Sequence, residues 1–172
     1  LKGKQYAQVL VALALLVTPL NLRGFSLFQP VCFDITFWSL IFWLSLRWIN
    51  TKSDTYLLLL GLAAGFGLLN KYLVALEIFA ILVAFVISPY RSIFTRSAFY
   101  IAILIAFVVF LPNIVWQVKN QFPVLVHLQA LNNTQLVHVN RLSFFTDQLF
   151  MGSVAILLFV PGIIFMSFGR SL

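Results

Sequence analysis

The sequence predicts an all-α, multi-pass transmembrane helical bundle, and three observations carry that prediction. Of the 172 residues, 62% are hydrophobic and 9% charged, with a mean hydropathy of +1.04, which leaves too little polar surface for a soluble domain of this length. The apolar residues gather into about six runs, several near the length of a bilayer crossing. The eleven Lys and Arg stand in ones and twos between those runs, as topology signals do. A net charge of +7 so dispersed is not a phosphate-binding patch, and no nucleic acid is expected as a partner.

A bilayer core of about 30 Å needs roughly 20 helical residues. On that ruler the segments run about Tyr6 to Leu22, Val31 to Ile49, Tyr56 to Leu69, Tyr72 to Ser88, Ala98 to Trp116 and Phe150 to Phe168. Lys2 and Lys4 ahead of Ala7 to Val17 imitate a secretory signal, but no small-x-small cleavage site follows, so the first segment reads as a true span. Tyr56 to Ser88 as one helix would be roughly 50 Å long, too much for one crossing. The break belongs at Asn70-Lys71, which makes the flanking helices short. Gly61, Ala64 and Gly65 put small residues on one side of the third segment, a spacing that lets another helix approach closely. Pro30, Pro89 and Pro112 are expected at segment boundaries, where a missing backbone donor does least harm. Leu1 at the start and the short tail after Phe168 suggest an internal piece of a longer protein, residues 1–172 forming one transmembrane domain.

Orientation follows from the cations of alternate loops. The side with the amino terminus, Arg47, Lys52, Arg91, Arg96 and Arg170 holds seven, and the other side, with Arg23, Lys71, Lys119 and Arg141, holds four. Positive-inside then puts the amino terminus in the cytoplasm. The opposite side gathers Asp34, Lys71, Glu77, both histidines and residues 117–149, an extracytoplasmic loop in which Val124 to Leu131 and Thr134 to Leu142 fit short interfacial helices.

Four acids are few enough to weigh singly. Asp34 lies just inside the mouth of the second segment, where an ionisable group is costly and reads as functional by default. Its structural alternative is a helix cap or a pair with Arg23. Lys71 is either a snorkelling interfacial lysine or a phosphate contact, and Glu77, deeper in the fourth segment, is expected to pair with it. His127 and His138 stand eleven apart, which defines no metal site unless a carboxylate from elsewhere completes one. The single cysteine, Cys32, excludes an internal disulfide framework and a Cys-rich metal site. Walker, Gly-x-Ser-x-Gly and Cys-x-x-Cys signatures are missing from the chain.

Several stretches together resemble a known family. Gln29-Pro30-Val31-Cys32-Phe33-Asp34 leading into Phe37-Trp38, then Gly61 to Tyr72, then Leu111-Pro112-Asn113-Ile114-Val115-Trp116-Gln117 with Phe122-Pro123 and His127-Leu128, are similar to the family 39 glycosyltransferases. These are bacterial relatives of the dolichyl-phosphate-mannose protein mannosyltransferases and of the lipid A aminoarabinose transferases. The resemblance implies a GT-C type fold in the bacterial plasma membrane that moves a sugar from a polyprenyl-phosphate donor to a lipid, glycan or protein acceptor on the extracytoplasmic face. It matches Asp34 to the acidic residue at the outer end of the family's third span, a catalytic position that would orient acceptor or donor, and Lys71 to a contact with donor phosphate. Arg141 joins Lys71 as a candidate phosphate contact, and His127 and Glu77 are candidate substrate or metal contacts. A divalent metal is the one cofactor left open. Two departures stand out: Val31-Cys32-Phe33 separates Pro30 from Asp34, and the family's outer loop with the acid regarded as the base would precede Leu1, so the piece alone is expected to be inactive.

Such a donor has a good leaving group, so catalysis needs a carboxylate to activate the acceptor and a cation to hold the departing phosphate. The rival readings are a transporter or channel module with Asp34, Lys71 and Glu77 along its path, and a non-catalytic membrane scaffold.

Overall fold

A computed structural model describes residues 5–26, 29–134 and 140–151, with positions 137, 160 and 163. Within them the chain is helical: α1 (Gln5–Val17), α2 (Pro19–Ser26), α3 (Pro30–Thr51), α4 (Asp54–Asn70), α5 (Val74–Ile87), a 3-10 turn (Arg91–Thr95), α6 (Ser97–Lys119), α7 (Pro123–Thr134) and α8 (Arg141–Met151). Two of these, α3 and α6, are long and apolar enough to cross a membrane, and α4 and α5 are apolar but shorter, at 17 and 14 residues. Expected features at Lys2, Lys4 and His138, the side chains of Arg23 and Arg141, and most of Phe150 to Phe168 fall outside the described residues.

The helices form two compact units, Pro30–His127 and, separately, Leu1–Gln29 with Leu128–Leu172. In the second of these, the segment expected as one run from Tyr6 to Leu22 is divided at Thr18, because Pro19 has no N–H to continue the ladder. Thr18 bridges the division: its N–H and its Oγ1 both donate to the Ala14 carbonyl, at 3.1 and 2.6 Å.

In the Pro30–His127 unit α4 is the central helix, packed most extensively on α6 and next on α3, while α5 lies against α3 and α4. Small residues explain why α4 is central. Gly61, Ala63, Ala64, Gly65 and Gly67 are all buried, and a Cβ built on Gly61 would fall on the Ala102 carbonyl of α6. The packing role read from the Gly-x-x-x-Gly spacing is therefore the one the helices use. Consecutive helices alternate in direction, so the unit has two ends with a core cluster near each. Ile41, Leu44, Ala63, Ala64 and Val74 pack toward the end with Asp34, and Trp48, Leu57, Phe85, Ile93, Ala98 and Ala102 toward the other. An apolar cavity of about 300 Å³, lined among others by Leu60, Ile78, Phe99 and Ile103, lies between α4, α5 and α6.

Two of the expected prolines mark boundaries and one does not. Pro30 opens α3 and Pro89 follows α5, but Pro112 lies inside α6, which runs on to Lys119. Its missing donor removes one ladder bond, and a helix of this apolar length, with its neighbours in place, tolerates the loss.

Candidate functional site

The site is assembled where α4 ends. Asn70 and Lys71 interrupt the apolar run at the expected place, and Asn70 Nδ2 donates to the Pro30 carbonyl at 3.0 Å, fastening the end of α4 to the start of α3. Lys71 is extended, at φ −159° and ψ 128°, and its N–H closes α4 on the Gly67 carbonyl at 2.9 Å. Gly67 lets the three helices converge: a Cβ there would meet Val74 Cγ1 of α5 at 3.1 Å and Phe37 Cβ of α3 at 3.3 Å.

This convergence brings Lys71 Nζ to 3.3 Å from Asp34 Oδ2. The pairing corrects one expectation: Lys71 takes Asp34 and not Glu77. An extended residue at the end of α4 projects back across to α3, whereas Glu77 lies on α5, which leads away. The Lys71 side chain is 37% exposed and the Asp34 side chain 14%, so the carboxylate is the more enclosed partner. Asp34 Oδ1 and Glu77 Oε2 are both shut off from solvent without a hydrogen-bond partner among the described residues. Glu77, 8% exposed, lines an open, mostly apolar groove between α3 and α5 with Trp38, Ser39, Phe42 and Ala80. A buried acceptor left unfilled is costly, and here two stand at one end of one unit.

A second layer, to which no role had been assigned from the sequence, adjoins the pair. Tyr72 follows Lys71 and its hydroxyl donates to Asn113 Oδ1 at 2.8 Å while accepting from Gln117 Nε2 at 2.7 Å. Gln117 is 8% exposed and its polar groups are in use: Oε1 accepts from the Val124 N–H at 3.4 Å and its carbonyl from the Phe122 N–H at 2.8 Å. The turn so held carries Gln121 and Phe122 at φ 58° and 56°, left-handed positions costly for residues with a Cβ. Tyr72, Asn113 and Gln117 lie in the stretches that carry the family resemblance, but in the sequence itself nothing beyond a polar residue in or beside an apolar run marks their contact.

His127 is exposed on α7 and forms no ion pair with Asp34 or Glu77. Among the described residues no three His, Cys, Asp or Glu stand close enough to hold a metal ion. Arg141 opens α8, in the other compact unit.

Residues 2–116 match the family described as dolichyl-phosphate-mannose-protein mannosyltransferase. The match takes in Asp34, Lys71, Tyr72, Glu77 and Asn113, and ends one residue before Gln117. No curated protein and no solved structure matches the chain.

Proposed function

The chain belongs to the dolichyl-phosphate-mannose-protein mannosyltransferase family of membrane glycosyltransferases, and on that premise we propose that it takes part in moving a sugar from a polyprenyl-phosphate donor to a lipid, glycan or protein acceptor at the end of the bundle that holds Asp34. In the transfer the bond from the sugar C1 to the phosphate oxygen breaks, the acceptor hydroxyl oxygen bonds to C1, and a carboxylate takes the hydroxyl proton. Charge develops on the departing phosphate, which a fixed ammonium stabilises. The observation that carries the reading is the Lys71–Asp34 contact at 3.3 Å. It holds the ammonium in place on one oxygen of Asp34 and leaves Oδ1 free to accept from a sugar or acceptor hydroxyl.

The apolar groove between α3 and α5, open along its length and ending near Glu77, suits the donor's hydrocarbon chain. With the cation excess at the opposite end, positive-inside supports an extracytoplasmic site, an amino terminus in the cytoplasm and several crossings of the plasma membrane. His127, exposed on α7 of the same unit, stands as a further substrate contact in this scheme.

The test is Lys71→Met, measured as transfer from a polyprenyl-phosphate sugar in membranes carrying the full-length protein. The expected result is a loss of at least a hundredfold, in line with the removal of one charged transition-state contact of about 2.7–4 kcal/mol. Asp34→Asn should lose activity in parallel. Unimpaired transfer by Lys71→Met at normal expression would reject the phosphate role and turn attention to a transport path through the same charges.

A further inference from the structure

The end of the Pro30–His127 unit remote from Asp34 carries a second charged cluster that glycosyl transfer does not use. Arg47, Lys52, Arg91 and Arg96 gather there against a single carboxylate, Asp54. Arg96 is the engaged member: its Nη1 donates to Asp54 Oδ1 at 2.8 Å and to the Lys52 carbonyl at 3.1 Å. The other three cations have no ion pair among the described residues.

Each of two unpaired cations is instead held on aromatic faces. Lys52 sits at φ 57° in the turn between α3 and α4, with its Nζ 4.4 Å from the centre of the Trp48 ring and 4.2 Å from that of Tyr90. That Nζ is shielded from water and has no hydrogen-bond acceptor among the described residues. The Arg47 guanidinium lies 5.7 Å from the Trp43 ring and 5.2 Å from Tyr56, and gives one N–H to the Tyr56 hydroxyl at 2.9 Å. Arg91 is exposed and directly follows Tyr90.

Free snorkelling would let such side chains spread into water, but ring contacts hold two of these in fixed positions. Positive charges gathered at one end of a unit repel one another, and an ammonium with three donors and no acceptor is incompletely satisfied. An anion with several acceptor oxygens relieves both costs. The tryptophans and tyrosines that hold the cations are the residues that settle at the headgroup level of a bilayer, where the abundant anion is the lipid phosphate. We infer that this end of the unit binds the phosphate of an anionic phospholipid headgroup, Arg47 and Arg91 making the first contacts and Lys52 closing on the same group as the exposed Tyr90 ring turns aside. Arg96 stays with Asp54 and fixes the turn that presents Lys52. The site stands whether or not the opposite end transfers sugars.

The test uses the chain purified in a neutral detergent and titrated with phosphatidylglycerol or phosphatidylcholine, with bound lipid counted by native mass spectrometry. Each cation near an anionic headgroup contributes about fivefold in affinity, so phosphatidylglycerol should bind more than tenfold tighter. The preference should shrink as salt rises from about 50 to about 500 mM, a measurement that needs no variant. Arg47→Gln with Arg91→Gln removes two exposed cations that lie outside the ion pair. It should weaken phosphatidylglycerol binding by roughly twenty- to thirtyfold, weaken phosphatidylcholine binding much less, and leave helical content unchanged. Equal binding of the two lipids, a preference indifferent to salt, or a preference intact in the double variant would each overturn the inference. Inorganic phosphate displacing the lipid at equal concentration would overturn the lipid assignment in favour of free phosphate.

Discussion

Replacing Gly61 by alanine tests the packing that brings the site together. A Cβ at this position would land on the Ala102 carbonyl oxygen and lie 2.7 Å from the Ala102 α-carbon and 2.8 Å from its carbonyl carbon. Ordinary van der Waals separation begins at 3.4 Å, so the approach to the α-carbon alone is about 0.7 Å too short. Every clashing atom belongs to the backbone of α6, so no rotamer relieves the clash, and α4 and α6 must part along their most extensive interface. Overpacking costs about 1–3 kcal/mol, here about 2–3 because only backbone atoms are met, and the better helix propensity of alanine returns about 1. The net loss should be about 1–2 kcal/mol, read as a fall of several degrees in Tm when the near-ultraviolet signal of the tryptophans is followed in detergent. Gly65→Ala makes a graded comparison. Its Cβ would meet Val109 Cβ at 2.7 Å and the Ala106 carbonyl oxygen at 3.0 Å, a milder overlap than at Gly61, where the Cβ falls on the Ala102 carbonyl oxygen, so the loss should be smaller. Leu62→Ala, on the exposed side of the same helix, should change little. A Gly61→Ala protein as stable as the parent, or a Gly65→Ala protein less stable than Gly61→Ala, would refute the reasoning.

Tyr72→Phe removes both the donor to Asn113 and the acceptor for Gln117, and should lower thermal stability by about 1–3 kcal/mol with helical circular dichroism retained. The Asp54–Arg96 pair is exposed by 52% and 37%, so Asp54→Asn should cost less than about 1 kcal/mol, and the difference from the parent should vanish in high salt. Gln121→Gly relieves a left-handed residue at φ 58° and should raise stability by up to about 1 kcal/mol in the same thermal scan, whereas Gln121→Val should lower it.

What the sequence could disclose was set by the range over which its signals act. The break at Asn70-Lys71 was legible because two polar residues interrupt a long apolar stretch, and the packing of Gly61 and Gly65 because close helix approach needs small residues at a fixed local spacing. Pro112 misled because a missing N–H at the end of a helix and one in the middle look alike in one dimension. The partner of Lys71 misled for a related reason. Glu77 is near in the chain, but an extended Lys71 turns toward α3, and the carboxylate it meets comes from the beginning of that helix. Alternating helix directions sort polar residues by end from topology alone, so Asp34, Lys71, Tyr72, Glu77, Asn113 and Gln117 could be placed together before any pairing was known. Pairings within an end depend on which helix packs on which. That choice was made here by the glycines of α4, which draw α6 in and bring Phe37 and Val74 together over Gly67. The Lys71–Asp34 contact is thus a consequence of small residues set away from it. A change at Gly67 should therefore disturb the Lys71–Asp34 distance before it disturbs the fold: Gly67→Ala faces side-chain contacts of 3.1–3.4 Å, which Val74 and Phe37 can relieve by moving a few tenths of an ångström. The expected signature is sugar transfer reduced with Tm nearly unchanged. A fall in Tm as large as that of Gly61→Ala, with transfer intact, would show that the glycine serves the fold and not the alignment of the pair.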